Sequence, residues 1–73
     1  MQRIDYFNII MTCIAHYYHK LNYNDYALIT VLLSQYSTAK LKRISEHFKA
    51  VYYNKDITIG TIIDNIRYLG GIK

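Results

Sequence analysis

Apolar side chains recur at steps of three and four along most of this 73-residue chain, and no proline interrupts the pattern. That spacing places them on one face of an α-helix, whereas a half-buried strand requires strict alternation of apolar and polar residues. The pattern divides the chain into four helical segments and predicts an all-α fold.

The first segment carries six apolar side chains at alternating steps of three and four: Ile4, Phe7, Met11, Ile14, Tyr18 and Leu21. This is the a/d spacing of a heptad, and it predicts a helix over residues 1–21 with a narrow apolar edge. The edge can pack on the rest of the domain or pair with its copy in a homodimer. We expect a homodimer, because a chain of this size buries only about 60% of its unfolded surface.

Cap-forming residues mark the starts of the next two helices. Asn22 can accept a hydrogen bond from a free amide, and Ser37 or Thr38 can cap a third helix that runs to about Ala50. The second helix has one apolar face and an opposite side that is only mildly polar, which predicts an enclosed helix at the centre of the core. Its inward residues are Tyr26, Ile29, Leu32, Leu33 and Tyr36.

The final stretch, ITIGTIIDNIRYLGGIK, begins at Ile57 with alternating β-branched residues that favour a strand. Five apolar residues at helical spacing form a longer pattern: Ile59, Ile62, Ile63, Ile66 and Leu69. The longer pattern predicts a fourth helix. Asp56 or Thr58 can cap its start, and a left-handed Gly70 is expected to end it.

The formal net charge of +4 is concentrated in the second half of the chain, where seven cations from Lys40 onward face three anions. A one-sided basic half is typical of proteins that bind a polyanion such as nucleic acid. It is equally typical of a plain solvated surface, and charge alone does not separate these two interpretations.

Several segments resemble one known family. NYNDYALITVLL is similar to the second helix of MarR-type winged-helix regulators, and LKRISEHF followed by ITIGTIIDNIRYLGGI resembles their helix-turn-helix, in particular that of the SarA-like branch. The resemblance covers roughly residues 23–72. It implies a single helical domain over residues 1–73 with a helix-turn-helix at 40–69. The fold would be winged-helix-like without a complete wing, because the sequence stops at Lys73, where the first wing strand would begin.

The resemblance implies a dimeric transcriptional regulator that binds double-stranded DNA, with the first helix at the dimer interface and residues 57–69 in the major groove. The candidate base-reading residues are Thr58, Gly60, Thr61, Asn65 and Tyr68, and the candidate backbone contacts are Lys40, Lys42, Arg43, Lys49 and Lys55. Asn65 suits an adenine edge and Thr61 a thymine methyl group. On the residues alone, small polar side chains more often cover a solvent face.

A metal site and an enzyme site are both poorly supported by the residue pattern. Cys13, His16 and His19 form C-x-x-H-x-x-H, but on a helix the first and last lie about 120° apart around the axis. We therefore expect no metal or other cofactor. The carboxylates are dispersed and no nucleophile has a suitable setting, so we expect no catalysis. The single cysteine and the lack of a long apolar run predict a cytoplasmic protein that does not enter the membrane.

Nine tyrosines support an alternative function. Four of them are expected on the surface, where tyrosine favours protein interfaces: Tyr17, Tyr52, Tyr53 and Tyr68. The alternative is a small protein of phage or mobile-element type that binds and modulates a host protein.

Overall fold

The computed structural model describes residues 2–50 and 57–71. Within these residues the chain forms four helices and no strand: α1 (Arg3–Tyr17), α2 (Tyr23–Ser34), α3 (Thr38–Ala50) and α4 (Ile59–Gly71). The prediction of an all-α fold with four helices is therefore confirmed. The tyrosines at 52 and 53, Lys55, the alternative cap Asp56 and Lys73 lie outside the described residues.

Side-chain oxygens fix where three of the helices begin. Asn22 Oδ1 accepts a hydrogen bond from the backbone N–H of Asp25 at 2.9 Å. The Ser37 hydroxyl accepts an N–H three residues further along at 3.3 Å, and Thr58 Oγ1 accepts from the N–H of Thr61 at 3.2 Å. Each bond satisfies an amide that has no partner inside its helix. The predicted caps of α2, α3 and α4 are confirmed.

A single buried cluster draws on all four helices, and α3 lies at its centre because it packs against both α1 and α4. The cluster consists of Ile10, Met11, Ile14, Ile29, Leu32, Leu33, Leu41, Ile44, Phe48, Ile62 and Ile66. The prediction that α2 is the enclosed central helix is wrong. One side of α2 packs inward, while Leu28 and Val31 remain 50% and 59% exposed on its other side.

The predicted dimer edge of the first helix packs mainly within the chain. Met11 and Ile14 are buried in the core, and Ile4 is 56% exposed. The other three are half-buried against the core: Phe7, Tyr18 and Leu21. Of the two alternatives that the heptad spacing allows, the structure shows packing within the chain, because α3 covers this side of α1. A homodimer stays a prediction, but these side chains offer little free surface for it.

The first helix ends at Tyr17, earlier than the predicted residue 21. The Tyr17 hydroxyl donates a hydrogen bond to the carbonyl oxygen of Phe48 at 2.7 Å, in the last turn of α3. Carbonyls in a last helical turn have no partner inside the helix, so this bond ties the ends of α1 and α3 together. Tyr18 and Leu21 consequently follow the helix instead of continuing its apolar edge.

Arg3, in the first turn of α1, caps the C-terminal end of α2. Its guanidinium donates to the carbonyl oxygen of Ser34 at 2.8 Å and to that of Leu33 at 3.2 Å, and it also donates to the carbonyl of Tyr36. The last turn of α2 has no basic residue of its own. A positive charge at this end is favourable to the helix dipole, and α1 supplies it.

The end of α4 differs from the prediction of a left-handed glycine. Gly70 lies inside the helix, and no described glycine has a positive φ. Gly70 is buried, and a Cβ added to it would lie 2.4 Å from two ring atoms of Tyr36. A larger residue at position 70 would therefore require the Tyr36 ring to move, because α4 passes close to that ring.

The Arg3 cap predicts that Arg3→Ala will destabilise the protein by about 1–2 kcal/mol, because three carbonyls lose a charged donor. For a domain of this size that corresponds to a melting temperature lower by roughly 5–12 °C, measured by circular dichroism. Lys20→Ala removes an exposed cation elsewhere and is expected to change the melting temperature little. Equal melting temperatures for the two variants would contradict the capping role.

The Gly70 contact predicts different effects of alanine on stability at two neighbouring positions. Gly70→Ala forces the Tyr36 ring out of its place and is expected to destabilise the protein by about 1–3 kcal/mol. At Gly71 no atom lies within 4 Å of an added Cβ. Gly71→Ala is therefore expected to leave stability unchanged or to raise it by up to about 1 kcal/mol. Chemical denaturation measures both, and a Gly70→Ala variant at least as stable as Gly71→Ala would refute the close packing.

Candidate nucleic-acid interface

The two sides of α4 are clearly different in character. Ile62 and Ile66 are buried in the core on one side. Of the five predicted base-reading residues, Gly60, Thr61 and Tyr68 are exposed on the opposite side, and Thr58 is exposed just before the helix. Tyr68 is 72% exposed. The isoleucine spacing thus orients the helix so that small polar groups and one aromatic ring face solvent.

The start of α4 carries a compact polar group. Thr58 Oγ1 and Thr61 Oγ1 lie 3.1 Å apart, at hydrogen-bonding distance, and the former also accepts the Thr61 N–H. Gly60 lies between them in the sequence. A Cβ added to Gly60 would make only an ordinary van der Waals contact, with Thr58 Oγ1. The first turn therefore presents hydroxyls and a side chain of minimal size, which allows close approach of a ligand backbone.

Asn65 is less available than its neighbours. It is half-buried, and its side-chain Nδ2 donates to the carbonyl oxygen of Thr61 at 3.0 Å, one turn earlier in the helix. A bidentate contact with an adenine edge needs this same nitrogen as a donor. Asn65 would have to exchange its internal hydrogen bond for the base contact.

Four of the five predicted backbone contacts lie on α3, and the fifth, Lys55, lies outside the described residues. Lys42, Arg43 and Lys49 are exposed, whereas Lys40 is half-buried. At about 100° per residue these four cations form two rows, with Glu46 between them. Lys42 and Lys49, which are seven residues apart, lie in one row. Lys40 and Arg43 lie in the second row. The helix therefore carries four cations and one carboxylate on its outer surface.

A shallow groove defines which row lies beside α1. It has a volume of about 390 Å³ and is lined by Asn8, Ile9, Thr12, Cys13 and Lys49. Lys49 thus belongs to the side of α3 that borders α1. The row containing Lys40 and Arg43 lies on the opposite edge of the helix, away from that groove.

Arg67 is an exposed cation on α4 that the sequence interpretation left out of the site. It follows Gly60 by seven residues, which places the two along the same edge of the helix. That spacing was the signal that could have identified it. Asp64, also exposed, is the one acidic residue of α4, so the two charges of this helix cancel and its outer face is close to neutral.

Other kinds of site find little support in residues 2–50 and 57–71. Among them, no three His, Cys, Asp or Glu side chains are grouped closely enough to hold a metal ion together. His19 lies beyond the end of α1, so the C-x-x-H-x-x-H residues do not share one helix. In the same part of the chain, every helix is too short or too polar to cross a bilayer.

Comparison with known proteins identified no relative. No protein-family model, curated protein sequence or solved structure matches this chain.

Proposed function

We propose that this chain is a small DNA-binding transcriptional regulator of the helix-turn-helix, MarR/SarA-like type. In this proposal α4 enters the major groove of double-stranded DNA, and the cations of α3 contact phosphates. The observation that carries the proposal is the two-sided character of α4, with Ile62 and Ile66 buried and Thr61 and Tyr68 exposed. A DNA-recognition helix requires both a buried apolar side and an exposed side that can contact bases.

The distribution of charge supports a division of tasks between the two helices. The outer face of α4 is close to neutral, so its threonines and Tyr68 are suited to base edges and methyl groups. The cations lie on α3, which packs directly against α4. Contacts to phosphate set the position and orientation of a protein on DNA, while contacts to bases give the sequence preference.

The dimensions of α4 also suit this function. Its 13 residues span about 20 Å at 1.5 Å per residue. The major groove of B-DNA is about 12 Å wide and accommodates an α-helix of this kind. The first turn, with Thr58 and Thr61, carries the polar groups that approach the bases or the backbone first.

A second candidate is a small phage- or mobile-element-type protein that binds a host protein. The observation in its favour is the exposure of two aromatic side chains, Tyr23 at 83% and Tyr68 at 72%. Exposed tyrosines are enriched at protein interfaces. This candidate predicts partner binding that depends on Tyr68 and no affinity for duplex DNA.

The DNA proposal predicts a strong dependence of affinity on salt. A dimer that makes roughly four to eight phosphate contacts should show a log–log slope of affinity against salt of about −4 to −7, measured by fluorescence anisotropy with a duplex oligonucleotide. Lys42→Ala and Arg43→Ala should each reduce the magnitude of this slope by about 1 per copy, because each removes one phosphate contact.

Lys20→Ala serves as the matched control, since Lys20 is exposed in the turn between α1 and α2 and outside α3 and α4. It is expected to leave the slope unchanged. Equal slopes for all three variants would remove α3 from the interface. A wild-type protein that does not bind duplex DNA even at low salt would refute the proposal and favour the protein-binding candidate.

A further inference from the structure

The outer side of α2 carries exposed apolar side chains that no other part of the described chain covers, together with the exposed polar residues Asn24 and Ser34. Tyr23 is 83%, Val31 59% and Leu28 50% exposed, all within one 12-residue helix. Ala27, which lies between Tyr23 and Val31 in the sequence, is half-buried. Isolated exposed apolar residues are normal, but several on one helix form a patch of the kind that marks an interaction site.

This surface carries no charged side chain. Asp25 is the one charged residue of α2, and it lies half-buried in the first turn, on the flank of the inward side. The cations of α3 and α4 lie on other helices. Two copies of a chain with a net charge of +4 repel each other, and an uncharged face allows them to meet without bringing cations together.

The order of side-chain sizes along α2 fits a second copy of the same helix. Tyr23, Ala27 and Val31 are spaced by four residues, so they form one ridge with about 6 Å between neighbours. In an antiparallel pair related by a two-fold axis at Ala27, the two alanines meet at the crossing point. Each Tyr23 then lies opposite Val31 of the partner subunit, so a large side chain faces a smaller one on both sides of the axis.

We propose that α2 is the surface through which this chain forms a homodimer, as an antiparallel pair of α2 helices centred on Ala27. The predicted edge on α1 is not available for this role, because Met11 and Ile14 are already buried within the chain. The α2 pairing does not depend on DNA binding, and its test uses no DNA.

The available area sets the expected strength of the dimer. Tyr23, Leu28 and Val31 together contribute on the order of 275 Å² of exposed side chain per copy, when aromatic residues are taken as about 200 Å² and aliphatic ones as about half that. A standard stable interface buries about 800 Å² per partner. We therefore expect a weak, reversible dimer rather than a permanent one.

Sedimentation equilibrium between about 1 and 500 µM tests the proposal. The wild-type mass should rise from monomer to dimer over this range. Val31→Lys should weaken the dimer at least tenfold, because it places two like charges inside the contact. Position 31 is exposed, so the variant should keep the wild-type melting temperature, which circular dichroism checks.

Ile4→Lys is the matched control, because Ile4 is about as exposed as Val31 but belongs to the alternative edge on α1. It should leave the dissociation constant unchanged. A wild-type protein that stays monomeric at 500 µM would overturn the proposal. So would a Val31→Lys variant that dimerises normally, or an Ile4→Lys variant that is weakened as much as Val31→Lys.

Cross-linking tests the two-fold axis itself in a background where Cys13 is replaced by serine. Ala27→Cys should form an intermolecular disulfide on mild oxidation, because the two copies of position 27 face each other within the reach of a disulfide. Tyr23→Cys alone should not, since the two copies of position 23 lie about 12 Å apart along the helices. Efficient cross-linking through position 23 but not 27 would overturn the proposed register.

Discussion

Burial of the isoleucine side of α4 against the rest of the core is the constraint on which the functional side of this molecule depends. Isoleucine lowers intrinsic helix propensity by a few tenths of a kcal/mol per residue. Burial of one such side chain contributes about 1.5–3 kcal/mol, so packing of Ile62 and Ile66 outweighs that cost. The helix is stable because it is packed, and the same packing turns Thr61 and Tyr68 outward.

Periodicity and cap chemistry were sufficient to predict four helices and three of their starting points. These features depend on residues within four positions of each other, which a sequence displays directly. The role of Arg3 at the end of α2 could not be predicted in this way, because its acceptors lie about thirty residues away. Gly70 is similar: its position in the sequence suggests a helix end, but the Tyr36 ring determines what fits there.

The same limit applies to the candidate interfaces. Spacing showed that α1 and α2 each have an apolar side, but it did not show which side the chain would bury. The structure places α3 against the predicted edge of α1 and leaves Val31 on α2 exposed. Of the five residues predicted to face outward at α4, four are exposed, but the spacing did not reveal that Asn65 is half-buried and that its amide already bonds to Thr61.

Contact between the outer face of α4 and DNA, as proposed, can be observed residue by residue in an NMR titration. Amide shifts of the ¹⁵N-labelled protein are followed as a duplex oligonucleotide is added at low salt. If α4 enters the major groove, the largest amide shift changes should occur in the first half of α4, around Gly60 and Thr61. Smaller changes should occur along the outer side of α3. Unchanged α4 amides, or changes confined to the exposed side of α2, would contradict it.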